Sequence, residues 1–130
     1  MKVSPYLSFN GNCTEAIALY QKAFNVQAMI MPDEETDNLI GHAQFELGSD
    51  TIMLHDMPGE PVQFGNNMML TIQFDGDNNV ETTWAKAAFV ILKEGGKLIT
   101  ELEENDWNKC FGIVIDPFGI KWNFCGGFKN

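Results

Sequence analysis

Two histidines, His42 and His55, are the side chains in this chain best suited to chemistry at neutral pH. Imidazole titrates near neutrality and also ligates divalent metals. In the run from Gly41 to Leu47, Ala43, Phe45 and Leu47 alternate with His42, Gln44 and Glu46. From Thr51 to His55, Met53 and His55 share one side. Gly48-Ser49-Asp50 reads as a tight hairpin turn between these runs, which places the two histidines on adjacent strands. Either could serve as a general base, with Glu46 or Asp56 to orient it. The plainer alternative is a histidine hydrogen-bonded to a neighbouring strand. Glu46, Asp56 or Cys125 could complete a non-standard metal site, but spacing supplies no third ligand.

Other chemistries find less support. Cys13, Cys110 and Cys125 are odd in number, widely spaced and contain no CxxC pair, so they read as small buried hydrophobes in a reducing compartment. The acidic runs Asp33 to Asp37 and Glu101 to Asp106 lie between apolar stretches and read as solvated loops. No glycine-rich strand-to-helix turn or phosphate loop is present. A net charge of −10 disfavours nucleic acid and anionic membranes and draws cations instead. No apolar run reaches the roughly 18 residues that a membrane span needs. The N-terminal residues lack the apolar stretch of a signal peptide, so the expected location is cytoplasmic.

Capped helices and short strands must position these residues. Val3 to Phe9 reads as a strand. Asn12 with Glu15 has the spacing of a capping box before a helix from Cys13 to Phe24. Val26 to Met31 is a strand ending at Pro32, followed by the His42 and His55 hairpin. The segment 58–67, with Pro58-Gly59, Pro61 and Gly65, reads as a linker.

The second half repeats the order. Met68 to Phe74 is a strand, and Asn78 with Glu81 caps a helix from about Val80 to Lys93. Lys97 to Leu102 follows as a strand. Cys110 to Ile115 and Ile120 to Phe124 form a hairpin across Asp116-Pro117-Phe118-Gly119, with Pro and Gly where a type I turn prefers them. Phe9-Asn10-Gly11-Asn12 corresponds to Phe74-Asp75-Gly76-Asp77. A single long offset indicates duplication. The expectation is one α+β domain, 1–130, of two βαβββ modules (about 1–57 and 68–130). Each module would have a mostly antiparallel sheet with one helix behind it.

Pro5-Tyr6-Leu7-Ser8-Phe9-Asn10-Gly11-Asn12, running into Ala16-Ile17-Ala18-Leu19-Tyr20, resembles the start of PhnB-like proteins of the vicinal oxygen chelate superfamily. This superfamily includes glyoxalase I, bleomycin-resistance proteins and extradiol dioxygenases. Asp116-Pro117-Phe118-Gly119-Ile120-Lys121-Trp122 resembles its closing hairpin. The resemblance implies sheets curled around a concave face, and a homodimer. It also implies four metal ligands, one from the first and last strand of each module. Those positions fall at Pro5, His55, Met69 and Asn123, of which only His55 is a good ligand for zinc, iron, nickel or manganese. The expectation is therefore no metal at that position and no cofactor.

By periodicity alone, His42, Gln44, Met53, His55, Met69, Thr71, Gln73 and Asn123 face solvent on the open side of a sheet. The resemblance implies that they line a small-molecule cavity instead. Trp107, in the second acidic loop, either closes over that cavity, anchors its loop or sits in a dimer interface. The expected function is small-molecule binding of the glyoxalase and bleomycin-resistance type. The alternative is a divalent-metal-dependent lyase, isomerase or dioxygenase. A non-catalytic interaction module is a third reading.

Overall fold

The computed structural model describes every residue except Glu60, which belongs to the expected linker and lies outside the described residues. The chain divides into two compact units, Met1–Gln63 and Phe64–Asn130. Each is a four-stranded mixed sheet with one helix.

The first unit contains β1 (Tyr6–Phe9), α1 (Cys13–Phe24), β2 (Met29–Pro32), β3 (Ile40–Leu47) and β4 (Asp50–Asp56), with strand order β1-β4-β3-β2. β1 runs parallel to β4, and the other pairs are antiparallel. Alternation along β3 and β4 buries Ala43, Phe45, Ile52 and Leu54, which meet Ala16, Ile17, Tyr20 and Phe24 of α1. Tyr20, Phe24 and Phe45 form an aromatic triangle with centroids 5.9 to 6.1 Å apart. Burying a side chain such as Leu54 contributes about 1.5–3 kcal/mol, so this layer fixes the sheet's register.

α1 keeps the expected bounds but not the expected cap. Asn12 makes no side-chain cap bond. Asp56, at the end of β4, takes that role. Its Oδ1 accepts from Gly11 N (2.8 Å) and Cys13 N (3.1 Å), and its Oδ2 from Ile40 N (2.9 Å). A carboxylate at a helix N-terminus satisfies backbone donors and opposes the positive end of the dipole. β2 starts later than the spacing predicts because Gln21 Oε1 holds Ala28 N at 2.9 Å before the strand begins.

The second unit contains β5 (Leu70–Gln73), α2 (Asn79–Lys93), β6 (Lys97–Glu103), β7 (Phe111–Ile115) and β8 (Lys121–Cys125), in the order β5-β8-β7-β6. Here the sequence cap forms. Asn78 accepts from Val80 N and Glu81 N, and Glu81 turns back to Asp75 N. Phe89 packs edge-on against Phe124, with Trp122, Leu92 and Val114 around them. In the hairpin turn, Asp116 Oδ1 accepts from Phe118 N and Ile120 N, and its Oδ2 accepts from Trp122 Nε1 at 2.9 Å. Gly112 lets β6 approach β7, since a Cβ there would meet Leu102 Cα at 2.7 Å. Among the described residues, no helix is long and apolar enough to cross a membrane.

Candidate functional site

Strand alternation places Tyr6 and Ser8 on the face of the first sheet opposite α1, whereas Phe9 enters the core. β1 and β4 pair in parallel, Tyr6 with Met53 and Ser8 with His55. β3 adds Gln44 beside Met53, and His42 stands one step beyond the Ala43–Leu54 pair. β2 adds Met29 beside Gln44 and Met31 beside His42. The open face therefore carries two rows. One is Tyr6, Met53, Gln44 and Met29; the other is Ser8, His55, His42 and Met31.

Tyr6 joins the two histidines. Its hydroxyl lies 2.8 Å from His42 Nδ1, and its ring centroid lies 5.4 Å from that of His42 and 4.4 Å from that of His55. His42 Nε2 is 2.9 Å from Gln44 Oε1, and His55 Nε2 is 2.8 Å from Ser8 Oγ. Desolvation, and to a lesser degree the neighbouring His42, lower the His55 pKa below 6.5, against a weaker opposing pull from Asp56. Both effects disfavour the charged imidazolium of His55.

The structure brings His42, Gln44, Met53 and His55 together. Tyr6 and Ser8 join them as residues that the sequence reading missed. Their signal was the alternation of Tyr6 and Ser8 with Leu7 and Phe9. Glu46 and Asp56 do not orient either imidazole. Glu46 Oε2 accepts from Thr51 Oγ1 at 2.7 Å, and Asp56 is buried on the other face among backbone donors.

In the second unit, Thr71 pairs with Asn123 and Gln73 with Cys125. Asn123 is only 9% exposed; its Nδ2 donates to Thr71 Oγ1 at 3.3 Å, while its Oδ1 has no partner among the described residues. Met69 lies outside β5 and is exposed. Trp107 is 72% exposed and sits on a loop held by Asn105 Oδ1 and by Lys129 N, which donates to the Trp107 carbonyl. Cys125 Sγ donates to Asn108 Oδ1.

Residues 2–124 match the family model of the glyoxalase/bleomycin resistance protein/dioxygenase superfamily. The chain belongs to that superfamily. Protein YjdN of Escherichia coli K12 is 31% identical over 142 residues, covering 94% of this chain and 92% of that protein. The structure of PA1353 from Pseudomonas aeruginosa superposes with a TM-score of 0.79 at 28% identity, covering 96% of each chain. The PhnB protein of Bacillus cereus superposes at 0.76 with 23% identity, covering 96% of this chain and 98% of that one. The glyoxalase-like, PhnB-like fold is thus shared by this chain and both of those structures.

Strand register tests whether this superfamily member can hold the expected divalent ion. The register partner of Asn123 on the first strand of its unit is Thr71, not Met69. The register partner of His55 on the first strand of its unit is Ser8, not Pro5. Pro5 instead turns its carbonyl to Met53 N, at 3.0 Å. One imidazole beside a serine hydroxyl in the first unit, and a neutral amide beside a threonine hydroxyl in the second, are each a poor set for zinc, manganese or iron. Among the described residues, no three or more His, Cys, Asp or Glu side chains gather to hold a metal. The residues present do not fit that ion.

Proposed function

We propose that this chain binds a small organic molecule on the open face of its first unit, without a divalent ion. The observation that carries this reading is the Tyr6 ring, 46% exposed and lying against both imidazoles. Met53 supplies an adaptable apolar neighbour, and Ser8 and Gln44 supply polar groups that can orient a ligand. In the second unit, Thr71, Gln73 and Asn123 form a smaller polar set. The net charge of −10 favours cationic ligands. We further read the chain as a cytoplasmic protein, with its two modules forming one domain that assembles as a homodimer, checkable by sedimentation.

The test is calorimetry and thermal shift against a panel of cationic aromatic compounds. A binder from that panel is expected to raise Tm, to lose affinity at least tenfold in Tyr6→Ala, and to keep most of it in Tyr6→Phe. A panel with no binder, or undiminished binding to Tyr6→Ala, overturns the proposal.

A further inference from the structure

The outer strand β2 reads Met29-Ile30-Met31. Period two puts both thioethers on the face that carries His42 and Gln44, and turns Ile30 the other way. Met31 is the register partner of His42, and Met29 of Gln44. Both methionines remain about half exposed, at 45% and 51%. Cross-strand neighbours have Cβ atoms about 5 Å apart, a gap that flexible methionine side chains can close around one small ion.

His42 can supply the third donor. Its Nδ1 faces the Tyr6 hydroxyl, while its Nε2 points to Gln44, on the row shared with Met29. In the tautomer with hydrogen on Nδ1, that N–H donates to the Tyr6 oxygen, and the Nε2 lone pair becomes available once Gln44 turns aside. Two thioethers and one imidazole are soft to borderline donors. Without a carboxylate among them they suit Cu(I) and its analogue Ag(I), not magnesium, manganese or zinc. The acidic run Asp33 to Asp37 begins directly after β2 and raises the local cation concentration.

We propose that Met29 Sδ, Met31 Sδ and His42 Nε2 form a three-coordinate site for a soft monovalent ion, Cu(I) or Ag(I). The site shares His42 with the organic-ligand reading but does not rest on it, and that reading's calorimetry is run without any such ion.

The test titrates Ag(I) into intact protein carrying 13C-methyl methionine and Cys125→Ser. That change removes the cysteine that is not buried. Cys13 and Cys110 are both buried, which limits their access to the ion. The Met29 and Met31 methyl signals are expected to shift and saturate at one equivalent, while the other five methionines stay in place. Zn(II) is expected to leave all seven unmoved. Met29→Leu and Met31→Leu are each expected to weaken Ag(I) at least tenfold, and anaerobic Cu(I) to reproduce the same shifts. Shifts spread over other methionines, no shift at all, an equal response to Zn(II), or leucine variants that bind like the parent each overturn the proposal.

Discussion

The carboxylate of Asp56 lies 3.1 Å from the backbone N–H of Cys13, the first residue of α1, across 43 positions of sequence. The same side chain also receives Gly11 N and Ile40 N. One acid therefore ties together the start of α1, the end of β4 and the start of β3. Asp56→Ala would leave three backbone donors without their acceptor, at least one of them buried. The expected loss is about 3 kcal/mol or more in urea unfolding, from hydrogen bonds to a charged group and the cost of unpaired donors. Asn12→Ala, in contrast, is expected to change stability by less than about 0.5 kcal/mol, because that side chain makes no cap bond. Asn78→Ala is expected to cost about 1 kcal/mol, because that side chain does.

His55 gives the fold a pH dependence with a definite sign. Its folded pKa is depressed below 6.5, mainly by desolvation and secondarily by His42. The unfolded chain therefore binds this proton more tightly. The stability linked to His55 is complete above about pH 6.5, its unfolded value, and is lost as pH falls through the lower folded value. Unfolding midpoints are expected to drop between pH 7 and 5, and to drop less in His55→Gln. In NMR titrations, His42→Gln is expected to move the His55 midpoint only part of the way back, since desolvation remains. A His55 midpoint at or above 6.5 in the parent protein contradicts this account.

These cases show which parts of the molecule local sequence patterns reveal. The Asn-x-x-Glu spacing occurs at both helix starts, and it marks both helices correctly. Yet only Asn78 caps through its side chain, because its backbone is extended whereas Asn12 sits at φ −114°, ψ 21°, and no spacing rule reports that Cys13 N finds Asp56 on another strand instead. Period two correctly separates His55 from Asp56 and places His42, Gln44, Met53 and His55 on one face. It also separates Tyr6 and Ser8 from Phe9, but recognising them as partners of the histidines requires the parallel pairing of β1 with β4. Parallel register depends on how the intervening helix packs, which is a long-range property. The same register pairs His55 with Ser8 and Asn123 with Thr71, where the spacing paired them with Pro5 and Met69.

Gly112 is a packing requirement of the second sheet. A methyl group there would meet Leu102 Cα at 2.7 Å and Leu102 N at 2.9 Å, and backbone atoms have no rotamer with which to move aside. Gly112→Ala is expected to cost about 1–3 kcal/mol through overpacking. It is also expected to raise amide exchange selectively along β6, from Lys97 to Glu103. Unchanged stability with unchanged exchange would show that β6 can shift outward freely.

Asn123 offers the converse case, a polar group whose removal should not harm the fold. Its Oδ1 is buried without a partner among the described residues, and its Nδ2 holds Thr71 at only 3.3 Å. Leaving an acceptor unpaired in a buried position costs about 1–3 kcal/mol. Leucine has nearly the same shape and no such cost, and Thr71, being exposed, can turn its hydroxyl to water. Asn123→Leu is therefore expected to unfold at the same or a higher urea concentration. A buried acceptor without a partner among the described residues, beside the exposed Thr71, is suited to meeting a ligand donor. Hence the same variant should lose affinity for any ligand whose hydrogen-bond donor reaches this row, while ligands confined to the Tyr6 face keep theirs. A destabilisation of more than about 1 kcal/mol in Asn123→Leu would show instead that the amide is satisfied in solution by an ordered water and serves the fold.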